Sequence, residues 1–343
     1  MGYYIYSSSV FMSCKENDSM KETYKGRRAL IKKLAAAALA LCLALALAAC
    51  GESKPQEPAP SEPPKDPAPG EIRQASLSLS KEELPVIDGA TAMLPYYQAA
   101  AARILGISVD EAAAYVLCSK TDGAYNSLTQ KRCDMVFCAL PSEQQIQWAA
   151  DQGVEFESVD ILNSGFVFFV NRDNPVNGLT SQQIHDIYAG KITNWKEVGG
   201  NDEPIEAFQR SEGSGSQTGL YLHVISPEEL MPAPTEKMIG AMEGIIDVVA
   251  NFDSGKGAIG YSYYYYVVNM HYDEDIKMIA VDGVMPTPET IGQGSYPYIS
   301  RTCAVFRSDE PEDSNVRKIA EWCHGPEGCA LAEELGYVPN RED

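Results

Sequence analysis

GFVFFVN, Gly165–Asn171, is the stretch that decides the fold class. Five consecutive apolar residues follow a glycine and end at an asparagine. A strand with one wet face alternates apolar and polar positions, whereas an uninterrupted run of this length suits a strand buried on both faces.

Outward from this strand the signals alternate. On the C-terminal side Ser181–Tyr188 has helical periodicity behind an N-cap serine, and AIGYSYYYYVV, Ala258–Val268, predicts one long strand. Thr302–Phe306 predicts another. On the N-terminal side Leu84–Ile87 is a short apolar run ending in Asp88-Gly89, with helical periodicity over Tyr97–Leu105 and Tyr125–Gln130 and a strand at Met135–Ala139. Strands alternating with helices predict an α/β class with mostly parallel sheets, and no internal repeat is visible.

The bulk numbers bound the function. The chain has 343 residues, enough for about two domains, and 45% hydrophobic content supports a core. Its formal net charge of −21 repels nucleic acid and anionic headgroups, which sets nucleic-acid binding aside. Arg27, Arg28, Lys32 and Lys33 precede the apolar run Leu34–Ala49, which closes in Leu47-Ala48-Ala49-Cys50. A basic segment, a short apolar segment and small residues before a cleavage point read as a secretory signal over residues 1–49, with Met12 or Met20 as alternative starts. The Leu-Ala-Ala-Cys ending resembles the bacterial lipobox, which makes Cys50 the expected lipidation site and the cell membrane's outer face the expected location. Removing the signal takes away seven Lys/Arg and three Asp/Glu and leaves 20 against 45. Residues 50–76, rich in proline and glutamate, read as a tether that cannot bury enough surface to fold.

Six cysteines remain. Their spacing carries no paired CxxC metal pattern. Cys118, Cys138 and Cys303 lie in apolar runs and are expected as buried free thiols, while Cys323 and Cys329 are the pair to watch for a bridge.

RSEGSGSQTG, Arg210–Gly219, raises the question of function. Arginine is a planar fork of donors that matches an oxyanion, and a Ser/Gly turn opening a helix exposes hydroxyls and N–H groups. Asp88-Gly89-Ala90-Thr91 and Ser119-Lys120-Thr121-Asp122-Gly123 repeat the design of a turn with a hydroxyl at a helix start. Each alone is an ordinary N-cap, and Arg210 could simply pair with Glu212. In open α/β sheets such turns converge outside the carboxyl ends of the strands, where ligands bind.

Four segments carry a resemblance. YAGKITNWKEVGG, Tyr188–Gly200, is similar to a segment of the phosphate-binding proteins of bacterial ABC transporters. RSEGSGSQT resembles their ligand loop, GKGAIGYSYYYY their Gly-Ala-Ile-Gly-Tyr strand, and DGATA their Gly-Ala-Thr turn, all in the family's order over most of residues 84–340. The resemblance implies a two-lobed type II periplasmic-binding-protein fold with a cleft and a two-strand hinge. Lobe I would be 77–168 with 300–343, and lobe II 169–299. It implies phosphate held by Thr91, the Ala92 N–H and Thr121 from lobe I, and by Arg210, Ser214, the Gly215 N–H and Ser216 from lobe II. Glu212 would orient the arginine. The protein would be a monomer without cofactor or metal that delivers its ligand to an ABC permease.

One departure stands out. The family keeps a cleft aspartate that accepts the proton of hydrogen phosphate, and that position falls at Ala139 here, with Asp134 expected to be structural. Glu143 is an alternative acceptor. A different oxyanion such as sulfate, a sensing role, or a secreted serine hydrolase using Ser214 or Ser216 are the other readings. Against the last, no GxSxG, HExxH or P-loop is present, and His185, His223, His271 and His324 are scattered. The Tyr263–Tyr266 run is expected to alternate core and edge.

Overall fold

The computed structural model describes residues 75–233, 238–251 and 257–341. Cys50, the signal and most of the tether lie outside them, as do Gly255 and Lys256 of the Gly-Ala-Ile-Gly-Tyr segment.

The strands are β1 (Ile87–Gly89), β2 (Met135–Ala139), β3 (Phe156–Asn171), β4 (Gly178–Leu179), β5 (Glu206–Ala207), β6 (Gln209–Arg210), β7 (Met238–Ile239), β8 (Ala258–Tyr263), β9 (Ile276–Met278), β10 (Ala280–Val281), β11 (Ile299–Arg307) and β12 (Val338–Pro339). Eight of them form one sheet in the order β1-β2-β11-β3-β8-β5, with β9 and β12 also on β3. The remaining four form two small parallel pairs, β4 with β10 and β6 with β7.

The expected buried strand is the second half of β3, and it is longer than its apolar run. Residues 166–171 are buried throughout, while 156–165 are mixed. The first half pairs with β11 and the second with β8 and β9. Each half serves a different hydrophobic core. One core gathers Phe166–Val170 with Tyr188, Trp195, Leu220, Ile245, Ile259 and Tyr298. Two smaller ones gather residues 75–162 with 303–337. β3 thus carries the chain from one lobe to the other, and β11 returns beside it. The Phe166 N–H donates to the Tyr298 carbonyl at 2.8 Å where both cross.

This crossing corrects the expectation of mostly parallel sheets. β1 with β2 and β5 with β8 are parallel, but β11 runs antiparallel to both β2 and β3, and β3 antiparallel to β8, β9 and β12. A strand that returns to the first lobe beside the one that left it must oppose it.

Local expectations meet mixed outcomes. β2 and the helix Ser181–Tyr188 fall on the expected residues, but the helix cap is Thr180, whose Oγ1 accepts from the Gln183 N–H at 3.1 Å. The long tyrosine strand stops at Tyr263, and Tyr266–Met270 winds into a helical turn. Cys118, expected buried, is exposed, because it follows Leu117 as the chain leaves the sheet rim; all six described cysteines are free thiols.

Candidate oxyanion site

Two turns of the first lobe lie together because one carboxylate ties them. Asp88, fully buried at the end of β1, accepts both the Gly89 and the Ser119 N–H on Oδ1, each at 2.7 Å. The first bond fixes the turn into Thr91 and Ala92, the second the turn into Thr121. A Cβ at Gly89 would stand 2.7 Å from the Phe137 carbonyl oxygen and from the Tyr97 ring, so only glycine lets β1 approach β2 this closely. Asp88 Oδ2 is buried with no partner among the described residues. Nothing in the local sequence distinguished Asp88 from an ordinary turn aspartate.

The third turn comes from the second lobe. β6 ends in Arg210, Gly213 takes φ 77°, and Ser214 caps the helix Gly215–His223 by accepting from the Gln217 N–H at 3.2 Å. That helix start is pressed against the first lobe: a Cβ on Gly215 would lie 2.6 Å from Thr121 Oγ1. The Tyr263 hydroxyl donates to the Gly215 carbonyl at 2.9 Å and holds the turn from behind.

Arg210 is only 4% exposed. Its Nε donates to the Ile239 carbonyl at 2.9 Å, Nη2 to the Gly240 carbonyl at 3.3 Å, and Nη1 to Ser216 Oγ at 3.2 Å. Its own N–H donates to the Tyr261 hydroxyl at 2.9 Å and to Gln217 Oε1 at 3.1 Å, and the Tyr261 hydroxyl donates to that same Oε1. A guanidinium has five N–H groups. Among the described residues three are used, leaving one on each terminal nitrogen. Burial lowers its pKa; Tyr261, Tyr266 and Glu243 oppose that shift. No acid among the described residues forms an ion pair with it. Glu212, expected to orient it, instead accepts from the Tyr221 hydroxyl at 2.8 Å. Backbone carbonyls do the orienting, which no side-chain pattern announces.

Beside these turns is a cavity of about 40 Å³ between the lobes. At about 10–15 Å³ for each water it holds a few waters or a small ion. Ala90, Ala92, Thr121, Ala139 and Thr302 line it from the first lobe, and Met242 with Tyr263, Tyr264 and Tyr265 from the second. The lining contains no carboxylate. Ala139 therefore sits where expected, and its carbonyl accepts from the Tyr125 hydroxyl at 2.6 Å. Glu143, the alternative acceptor, starts the next helix and is not in the lining. Asp134 is structural as expected, accepting from the Val86 N–H at 2.8 Å and from Arg307 Nη2 at 3.3 Å. The tyrosines were expected as core and edge; three of them form the cavity wall because the strand ends at Tyr263.

A wider groove of about 760 Å³ lies behind the crossing strands, but its two arginines are committed, Arg301 to Asp160 at 2.7 Å and Arg341 to Glu333.

Against known proteins, the model of a PBP superfamily domain matches residues 80–322. The chain is 29% identical over 133 residues to the phosphate-binding protein PstS of Bacillus subtilis, covering 39% of this chain and 41% of that protein. It is 29% identical over 195 residues to the PstS of Staphylococcus epidermidis, covering 55% and 58%. The match thus spans about half the length of these relatives. Among solved structures, a putative phosphate ABC transporter substrate-binding protein with bound phosphate from Clostridium perfringens is similar at 25% identity and TM-score 0.60, over 75% of this chain and 99% of that one. An ABC-type phosphate transport receptor from Vibrio cholerae shares the fold at 21% identity and TM-score 0.57, over 74% and 98%.

Proposed function

The chain belongs to the PBP superfamily, with the two-lobed type II periplasmic-binding-protein fold, and on that premise we propose that it captures inorganic phosphate outside the cytoplasm for an ABC importer. The observation that carries the reading is the contact of the Gly215 helix start with Thr121, beside an arginine with one N–H left on each terminal nitrogen. Residues 77–168 with 300–343 form one jaw and 169–299 the other. Thr91, the Ala92 N–H and Thr121 donate from the first; Arg210, Ser214, the Gly215 N–H and Ser216 donate from the second. Ser214 also holds its helix, so its hydroxyl serves the turn as much as the ligand.

The mechanism is capture without chemistry. Charge-assisted hydrogen bonds replace the anion's water shell, the helix start adds its partial positive charge, and closure places the ligand in a dry site where these interactions strengthen. The chain's own negative charge is tolerable because fixed donors at contact distance outweigh screened surface charge. Cys50 carries the lipid anchor, the proline-rich tether lifts a monomeric binding domain from the membrane, and the closed form docks on the permease. Among the described residues no helix is long and apolar enough to cross a membrane.

Ala139 in place of a carboxylate on the first-lobe side, in the cavity lined also by Ala92 and Thr121 but not by Arg210, Ser214, Gly215 or Ser216, favours a second reading, in which sulfate-like dianions share the site. The serine-hydrolase reading has no such support. His223 Nε2 lies 2.6 Å from Ser300 Oγ, His271 pairs with Asp247 and His185 with Asp186, so each is engaged away from Ser214 and Ser216.

Calorimetric titration with phosphate at pH 5.5 and 8, after unfolding and refolding to strip carried ligand, tests the proposal. Tight phosphate binding is expected. Absence of binding to any tetrahedral oxyanion contradicts it.

A further inference from the structure

Thr302 is the polar member of a row of side chains that crosses three strands. In β11 it stands opposite Ala139 of β2 on one side and Leu162 of β3 on the other, and all three line the cavity between the lobes. Directly opposed side chains of antiparallel strands share a face, with Cβ atoms about 4.5–5.5 Å apart. The pairing with β3 slips at this point. Thr302 opposes Leu162 but Cys303 opposes Asp160, so Ile161 is bulged out. Bulges recur beside functional sites, where they re-aim side chains.

The Thr302 hydroxyl has no hydrogen-bond partner among the described residues, although the residue is only 6% exposed. Thr121, 7% exposed, lines the same cavity, and its hydroxyl is likewise without one. Buried hydroxyls are paired, so the partners of these two must come from inside the cavity, as water or as ligand. Cys303, Ala304, Val305 and Phe306 follow Thr302, so a hydroxyl here interrupts an otherwise apolar run. Thr121 joins this floor to the second-lobe turn, since a Cβ on Gly215 would lie 2.6 Å from its Oγ1.

We propose that Thr302 is a further ligand-contacting residue of the oxyanion site, and that its hydroxyl serves where the family resemblance expects an aspartate at Ala139. The inference rests on the proposed capture of phosphate and names what sets the specificity of that site. The two groups differ in chemistry. An ionised carboxylate only accepts hydrogen bonds, so it selects an anion that carries a proton. A hydroxyl accepts from a protonated oxygen and donates to an ionised one. Across the pair from Ala139, Thr302 therefore admits tetrahedral oxyanions in either protonation state, hydrogen phosphate and sulfate alike.

The test is calorimetric titration of the full chain with phosphate and with sulfate, for the wild type and for Thr302→Val, Thr302→Ser and Ala139→Asp. The wild type should bind both anions. Thr302→Val keeps the shape and removes the hydroxyl, and it should weaken both by about tenfold or more, the loss expected for one hydrogen bond to a charged group. Its ligand-free Tm should not fall, since the hydroxyl has no protein partner to lose. Thr302→Ser should recover most of the affinity. Ala139→Asp returns a carboxylate across the pair and should cost sulfate far more than phosphate. Unchanged affinity in Thr302→Val, a fall in its ligand-free Tm, or rejection of sulfate by the wild type overturns the proposal while phosphate capture stands. A wild type that binds neither anion overturns both.

Discussion

The two sides of the site are built differently. The first-lobe turns hold uncharged donors, and one buried acid, Asp88, gathers them through backbone N–H groups. The second-lobe turn holds the cation, and backbone carbonyls of Ile239 and Gly240 aim it. An aspartate placed against Arg210 would compete with the anion for the same N–H groups. An aspartate behind the first-lobe turns organises donors without meeting the ligand. On the proposed reading charge is presented by one lobe and shape by the other, and the approach of the Gly215 turn to Thr121 would bring both to one ion.

The sharpest way to break this division is Arg210→Ala. It should weaken phosphate binding by about 2–5 kcal/mol, since a desolvated charged partner is lost, while leaving the melting temperature much less affected. Unchanged calorimetric affinity would place the ligand elsewhere. Asp88→Ala should act on the other side by a different route. It leaves the N–H groups of buried Gly89 and of exposed Ser119 without their carboxylate and should cost about 2 kcal/mol of stability in denaturant titration, with weaker binding because both turns loosen together. If binding falls with stability unchanged, Asp88 touches the ligand and the division fails.

Ser214→Ala removes a helix cap and should cost about 1 kcal/mol of stability. A loss of affinity far beyond that would assign its hydroxyl to the ligand rather than to the turn. A pH-dependent effect concerns the strand crossing. His223 packs against Phe166 and Tyr298, meets Ser300 at 2.6 Å, and burial lowers its pKa from 6.5 to about 4. Between those values the unfolded chain binds the proton and the folded one does not. Its contribution is therefore complete above about pH 6.5 and is lost as pH falls toward about 4. Chemical denaturation across that window should show the slope, and His223→Gln should flatten it.

How much of this was legible in the sequence depended on where the signal resides. The three donor turns are local runs with hydroxyls and glycines at fixed offsets, and the family resemblance implied that Thr121, Arg210 and Gly215 share one site; the structure sets the Gly215 turn against Thr121. The run Phe166–Val170 announced a buried strand because both its faces are covered. Its other half, with Glu157, Ser158, Asp160, Asn163 and Ser164, is polar enough to pass for a loop, and becomes a strand only because β11 returns to pair with it. The same holds for Asp88, Glu212 and the tyrosines. Each has its role fixed by a partner distant in sequence or by where a strand ends, and local spacing carries neither. The opposition of Ala139 and Thr302 is of this kind, since 162 intervening residues hide a register that the sheet makes plain.

The central claim is that one small anion is held by both lobes at once. A crystal structure of the protein grown with phosphate tests it most directly. The account predicts tetrahedral density within hydrogen-bond distance of both Thr121 Oγ1 and a terminal nitrogen of Arg210. Density touching only one of them, or lying in the groove beside Arg301 and Arg341, would contradict it.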